Sequence, residues 1–228
     1  MKKSAGFTII ELMIATSIFS ILLLVCSFAL IQIARSYYKG VTSSQTQDAA
    51  RSIVDQISQG IQFSGNNIAT TPTSLPPPLP PSTGSSYIFC IGDQRYSVQL
   101  NQEVESNPTP PDQGYHALVV DTYPGCTSGS MSQNLNSNSV LGRELLPTNM
   151  RLSKLSVTQV PGQTNLYSIN VRVVYGDSNL LCSPIANDCN SSSQSTYLTN
   201  SDIACKNTYE GTQFCAVSEL DTVVQQRI

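Results

Sequence analysis

Charge is scarce in this chain, histidine is nearly absent, and proline is missing where a long helix needs it missing. Only 12% of the 228 residues are Asp, Glu, Lys or Arg. Ser, Thr, Asn and Gln make up the polar surface instead, a composition that fits an extracytoplasmic protein better than a cytosolic enzyme. The 12 basic and 15 acidic side chains leave a formal charge of −3, which argues against a general nucleic-acid-binding surface. The one histidine, His116, confines any Ser-His-Asp or Cys-His site to a stretch that reads as a strand, where a structural role is the better expectation. There is no phosphate loop, no His-Glu-x-x-His pair and no dinucleotide fingerprint, so neither an enzyme nor a cofactor is expected. Cys-x-x-Cys is absent as well, and His116 is remote from the closely spaced cysteines, so no metal site is expected. No proline lies between Phe7 and Thr71, which removes the strongest helix breaker from that stretch.

What the chain does have is a long apolar run near its start. Lys2 and Lys3 precede Ala5-Gly6, then Phe7-Thr8-Ile9-Ile10-Glu11 leads into an apolar stretch that reaches Ile31. Between Leu12 and Ile31 twelve residues are Leu, Ile, Val or Phe. On the insertion scale for a helix centre their sum favours the bilayer by about 4–7 kcal/mol. About 20 apolar residues at 1.5 Å each also match a hydrocarbon core of roughly 30 Å. From Phe7 onward, Glu11 is the only charged side chain before Arg35. A carboxylate in hydrocarbon costs about 2.5–3.5 kcal/mol at the centre and less near an end, so an acid placed here needs a cationic partner. A free amine on Phe7, created by cleavage after Gly6, would be the nearest such cation.

The basic leader ending in Gly6, followed by Phe7-Thr8-x-x-Glu11 and an apolar helix, resembles the class III signal of the type IV pilin-like proteins. The resemblance implies that a prepilin peptidase cuts between Gly6 and Phe7 and methylates the new Phe7 amine. It implies that Glu11 attracts the N-terminal amine of a neighbouring subunit as helices pack into a filament. Three other readings compete. An ordinary secretory signal has a passable site at Ser27-Phe28-Ala29, but its apolar region would be too long and interrupted by Glu11. A lipoprotein signal at Cys26 needs a small residue before it, and Val25 is not one. A plain anchor accounts for the apolarity but not for the order Gly-Phe-Thr-x-x-Glu.

Beyond the span, Ala50, Ile53, Val54, Ile57 and Ile61 recur on one helical face, so one helix is expected from about Thr8 to Gly60, with Gly40 and Gly60 as weak points or ends. The unbroken span departs from many major pilins, which carry a proline there. The proline-rich stretch 72–81 reads as a stiff surface loop leaving the helix, with docking to an aromatic groove as the alternative. Strand-like segments follow at Tyr87–Ile91 and Arg95–Leu100 around a Gly92-Asp93 turn, at Tyr115–Asp121, at Leu152–Val160 with Leu166–Tyr175, and at Phe214–Val224. Tyr167, Ile169, Val171 and Val173 alternate with polar residues, so one face is expected to pack on the helix.

Of seven cysteines, Cys26 lies in the span, while Cys90, Cys126, Cys182, Cys189, Cys205 and Cys215 lie beyond it. An even number past a membrane anchor reads as three disulfides in an oxidising compartment, with 15 connectivities open. Proximity alone favours Cys90 with Cys126 and the other four among themselves. Asp177, Asn179, Asp188 and Asp202 offer oxygen ligands without calcium-hand spacing, and Arg143, Arg151, Lys154 and Arg172 are candidates for a basic patch.

The expected architecture is α+β: a long N-terminal helix, transmembrane in its first half, packed on an antiparallel sheet with disulfide-linked loops. Its parts are a leader (1–6), a membrane half-helix (7–34), an amphipathic half-helix (35–61) and a β-rich domain (62–228). Without Lys2 and Lys3, 10 basic side chains face 15 acidic ones, a balance of −5. The element order, with its Arg172-Val173-Val174-Tyr175-Gly176 strand, is similar to the W/J class of minor pilins and pseudopilins. That resemblance implies a structural subunit whose partners are other pilin or pseudopilin subunits, prepilin peptidase and the cytoplasmic membrane. The domain would be extracytoplasmic, then part of a cell-surface or periplasmic filament. The alternatives are a major pilin and a membrane-anchored adhesin that never polymerises.

Overall fold

The computed structural model describes residues 8–65, 68–70, 86–105, 116–126, 133, 135, 140–182, 189, 203–206 and 211–227. The proline-rich stretch 72–81, Tyr115, Asp188 and Asp202 lie outside the described residues. Helix α1 runs unbroken from Ile9 to Phe63, about 80 Å at 1.5 Å per residue. It carries straight through Gly60 and stops at Ser64, ahead of Gly65 in the left-handed region at φ +62°. Gly60 is therefore not the terminator expected from sequence. A Cβ there would meet Ile91 Cγ2 at 3.3 Å and the Tyr96 hydroxyl at 3.4 Å, so its role is close packing.

A five-stranded antiparallel sheet holds β1 (Ile68–Ala69), β2 (Ser86–Ile91), β3 (Gln94–Gln99), β4 (Leu118–Thr122) and β5 (Arg143–Glu144), in chain order. The β2–β3 turn is Gly92-Asp93, and Gly92 takes φ +60°. A second sheet pairs β6 (Met150–Gln159), β7 (Leu166–Tyr175) and β10 (Ala216–Gln225) in the order β10-β7-β6. Between the two, the Asn101–Val104 segment bonds to β6: Asn101 N–H donates to Leu152 C=O at 2.8 Å and Val104 N–H to Met150 C=O at 3.0 Å. A small pair, β8 (Leu181–Cys182) with β9 (Ala204–Cys205), completes the described strands.

One core joins the helix to both larger sheets. The expected stripe of Ala50, Ile53, Val54, Ile57 and Ile61 is buried, and it packs with Phe89, Tyr96 and Val98 from one sheet and Ile169, Val171 and Val173 from the other. Phe89 and Tyr96 are register partners whose rings stack at 4.7 Å, the cross-strand pairing that stabilises sheets. Tyr87 reaches from the first sheet to donate its hydroxyl to Leu155 C=O on β6. Burial pushes the Tyr87 phenol far up and that of Tyr96 up to about 12.

Alternation predicts polar, solvated residues on the second faces, and in two places the structure differs. Arg95, Ser97 and Gln99 on β3 are all buried, and at Arg95 the cover is the Tyr123–Cys126 segment, linked to the neighbouring Cys90. Val174, on the polar side of β7, is buried with Leu181, Ile203 and Cys215 under the β8–β9 pair. The last expected strand, Phe214–Val224, resolves into a 3₁₀ turn at Thr212–Phe214 followed by β10. His116 precedes β4 rather than lying within a strand.

The structure links Cys90 to Cys126, Cys182 to Cys189 and Cys205 to Cys215, and leaves Cys26 free on the exposed helix. Peptide mapping without reductant is expected to return those three links. Replacing both Cys205 and Cys215 with alanine should cost about 3 kcal/mol on the loop-entropy model, read as the urea midpoint of the detergent-solubilised protein. A variant as stable as the parent would show that the link does not limit the unfolded chain.

Candidate functional site on the amino-terminal helix

Every residue of α1 from Ile9 to Val41 is exposed, and the first residue buried against the domain is Thr42. The exposed part includes Phe19, Leu22, Val25 and Phe28, each more than half accessible. From Ile9 to Ile33 that is about 37 Å of largely apolar helix left exposed by its own chain. An all-round apolar surface of this size is stable in a bilayer or against other helices, not in water. The hydroxyl groups within the apolar run are satisfied: Thr16 donates to Met13 C=O at 3.0 Å, and Ser17 to Ile14 C=O, Ser20 to Thr16 C=O and Ser27 to Leu23 C=O, each at 2.8 Å. Such back-bonding lets Ser and Thr enter hydrocarbon without an unmet donor. The helix is long and apolar enough to cross a membrane.

The first described residues form its start. Thr8 is the N-cap, with Glu11 at the third helical position, and the two close a capping box. Thr8 N–H donates to Glu11 Oε2 at 3.1 Å, the Thr8 hydroxyl donates to the same oxygen at 3.0 Å, and Glu11 N–H donates back to Thr8 Oγ1 at 3.3 Å. Sequence reasoning leaves Glu11 without a partner in its own chain. The structure supplies two donors from Thr8, and the positive end of the helix dipole favours the carboxylate too. The signal was present as Thr-x-x-Glu before an apolar run. Gly6 and Phe7 lie outside the described residues.

The other candidate groups separate. Arg143 donates to Gln56 at 2.8 Å, Arg151 is tied to Glu103, and only Lys154 and Arg172 come together, both 3.4 Å from Glu219. The four do not make one basic patch. Asp177 Oδ1 accepts the Asn179 N–H at 2.8 Å, a local turn contact rather than part of a cage. Among the described residues no three His, Cys, Asp or Glu groups converge as metal ligands. His116 Nδ1 lies 3.3 Å from Glu144 Oε2, in ion-pair reach but without hydrogen-bond geometry. Glu144 is spent on backbone, accepting from Ala117, Leu118, Leu145 and Leu146 N–H groups.

A capped, proline-free helix with an apolar half left bare, set on an antiparallel α+β domain, defines a membrane-anchored class of protein. Residues 1–27 match the family model of the prokaryotic N-terminal methylation motif, the class III signal of type IV pilins. Those residues thus carry a signal of the type IV pilin kind, which implies processing by prepilin peptidase and assembly with other pilin subunits. No curated protein and no solved structure matches it.

Proposed function

We propose that this chain is a minor type IV pilin or pseudopilin, a structural rather than catalytic subunit that polymerises through α1 into a pilus or secretion pseudopilus. The observation that carries the proposal is the bare apolar half of α1, which begins inside the matched methylation motif and runs on past its end. Residues 1–6 would be the leader, 7–34 the membrane half of the helix, 35–61 its amphipathic half and 62–228 the extracytoplasmic domain. The three disulfides suit that compartment. The chain is larger and richer in loops than most major pilins, which supports the minor role. In the filament, Glu11 would exchange its Thr8 donors for the cationic Phe7 amine of a neighbour.

The test is intact-mass analysis of membrane-extracted protein, together with the ratio of this subunit in sheared filaments to that in membranes. A mature chain that starts at N-methylated Phe7, and a small share of filament mass, are expected. A chain starting at Leu30, after the Ser27-Phe28-Ala29 site, would have lost the span and would rule the filament role out. Correct processing with none of the protein in filaments would favour a membrane-anchored adhesin. A dominant share of filament mass would make it a major pilin.

A further inference from the structure

Just past the apolar run, α1 carries two exposed aromatic residues that the filament reading leaves without a task. Tyr37 is 67% accessible and Tyr38 50%, with Arg35 and Lys39 exposed on either side. The domain sends one of its own rings to the same place. Phe214, 43% accessible, sits with its centroid 5.5 Å from that of Tyr38, and Tyr38 lies 6.0 Å from Tyr37.

The turn that presents Phe214 is held from several sides. Gly211 opens it in the left-handed region at φ +102°, where most side chains are strained, and Phe214 N–H donates to Gly211 C=O at 2.8 Å. The next residue, Cys215, is bonded to Cys205. Thr42 on the helix donates its hydroxyl to Gln213 C=O at 3.4 Å. A ring left partly in water is thus fixed in position against α1.

Length says what lies beside it. From Ile9 to Tyr38 the helix rises about 44 Å at 1.5 Å per residue. A bilayer with its headgroup layers measures roughly 40–45 Å. When the apolar run spans a membrane, Tyr37, Tyr38 and Phe214 therefore stand at headgroup level. Tyrosine is enriched there because its ring is apolar and its tip polar, and Arg35 and Lys39 match phosphate charge.

We propose that the Thr212–Phe214 turn is a membrane foot: with Tyr37 and Tyr38 it inserts into the headgroup layer and sets the height and tilt of the domain on the bilayer. The inference rests on the membrane part of the proposed function and not on polymerisation. A second contact, away from the helix axis, stops a domain on one helix from swinging freely. The disulfide restrains that contact, and Gly211 permits the turn that presents it.

The sequence has no tryptophan, so single-tryptophan variants report depth directly. The full chain is placed in phosphatidylcholine vesicles whose acyl chains are brominated near the headgroup. Three variants are compared: Phe214→Trp in the foot, Phe28→Trp in the span and Leu141→Trp on the domain. Leu141 is exposed near Arg143, which contacts Gln56 about 27 Å further along the helix from Tyr38. Each variant is first checked by mass for the Cys205–Cys215 link. Gln213→Trp, on the same turn, stands in if Phe214→Trp lacks that link. Phe214→Trp and Phe28→Trp should lose most of their emission, and Leu141→Trp should keep its own. If Phe28→Trp is quenched while Phe214→Trp behaves like Leu141→Trp, the foot is refuted and the span stands. If Phe28→Trp is not quenched, the membrane reading fails and the foot with it. Equal quenching of all three would mean a domain lying flat on lipid, which also overturns a specific foot. Shielding of Phe214→Trp only in assembled filaments would assign these rings to a neighbouring subunit instead.

Discussion

Glu11→Val is expected to stay in the membrane, to be cleaved after Gly6, and to drop out of sheared filaments by roughly ten- to a hundredfold. The range comes from a charge-assisted hydrogen bond, about 1.5–3 kcal/mol, at 1.4 kcal/mol per factor of ten. Valine also removes the capping box, since Thr8 would lose its acceptor. That loss is worth about 1 kcal/mol of helix start and would confuse the result on its own. Glu11→Gln separates the two effects. A glutamine oxygen can still accept from Thr8, so the cap survives while the charge is gone. Incorporation of Glu11→Gln should fall nearly as far as that of Glu11→Val. Glu11→Asp keeps the charge with a shorter reach, so it should lose the cap and fall less. Parent-like assembly of Glu11→Gln would show that the carboxylate charge is not the pairing group.

The largest effect on stability is expected at Arg95. Its guanidinium lies 2.6 Å from Asp121, with the two side chains only 6% and 9% accessible, and stacks 4.5 Å above the Tyr123 ring. The hydrogen bond to Asp121 holds the Arg95 guanidinium above its usual value although burial works against it. The Arg151–Glu103 pair has the same chemistry and the opposite balance. There desolvation is the larger influence on both partners, lowering Arg151 and raising Glu103. Arg95→Met should therefore cost about 3–5 kcal/mol, because it strips a buried carboxylate of its cation. Arg95→Met with Asp121→Leu should recover most of that loss, since no unpaired charge is left behind. Urea unfolding of the full chain in detergent reads both. A double variant as unstable as the single one would assign the cost to packing around Tyr123 rather than to charge.

The contrast between the two pairs shows where sequence reasoning stops. Arg95, Asp121, Glu103 and Arg151 are ordinary charged residues in their local windows. Arg95 is buried because the Tyr123–Cys126 segment closes over it, and Arg151 because the Asn101–Val104 segment bonds along β6. The basic group illustrates the same limit: Arg143, Arg151, Lys154 and Arg172 share a charge sign but not a face. Thr8 was different, for its capping role was readable from the spacing to Glu11.

The sequence by itself determined that a helix starts at the methylation signal, that its first half is compatible with a membrane, and which stripe of its second half is buried. It also determined the β6–β7 hairpin, the alternation from Tyr167 to Val173 on β7 and the glycine turn between β2 and β3. Each of these follows from free energies that add up along the chain: transfer of apolar groups, a period of 3.6 or 2, and the conformations open to glycine and closed to proline. Only the tertiary structure decided that Gly60 is a packing contact, that Val174 is buried on the polar side of its strand, and that Phe214 stands beside Tyr38. Those facts depend on which distant segments fold back over a surface, and no local period encodes that choice.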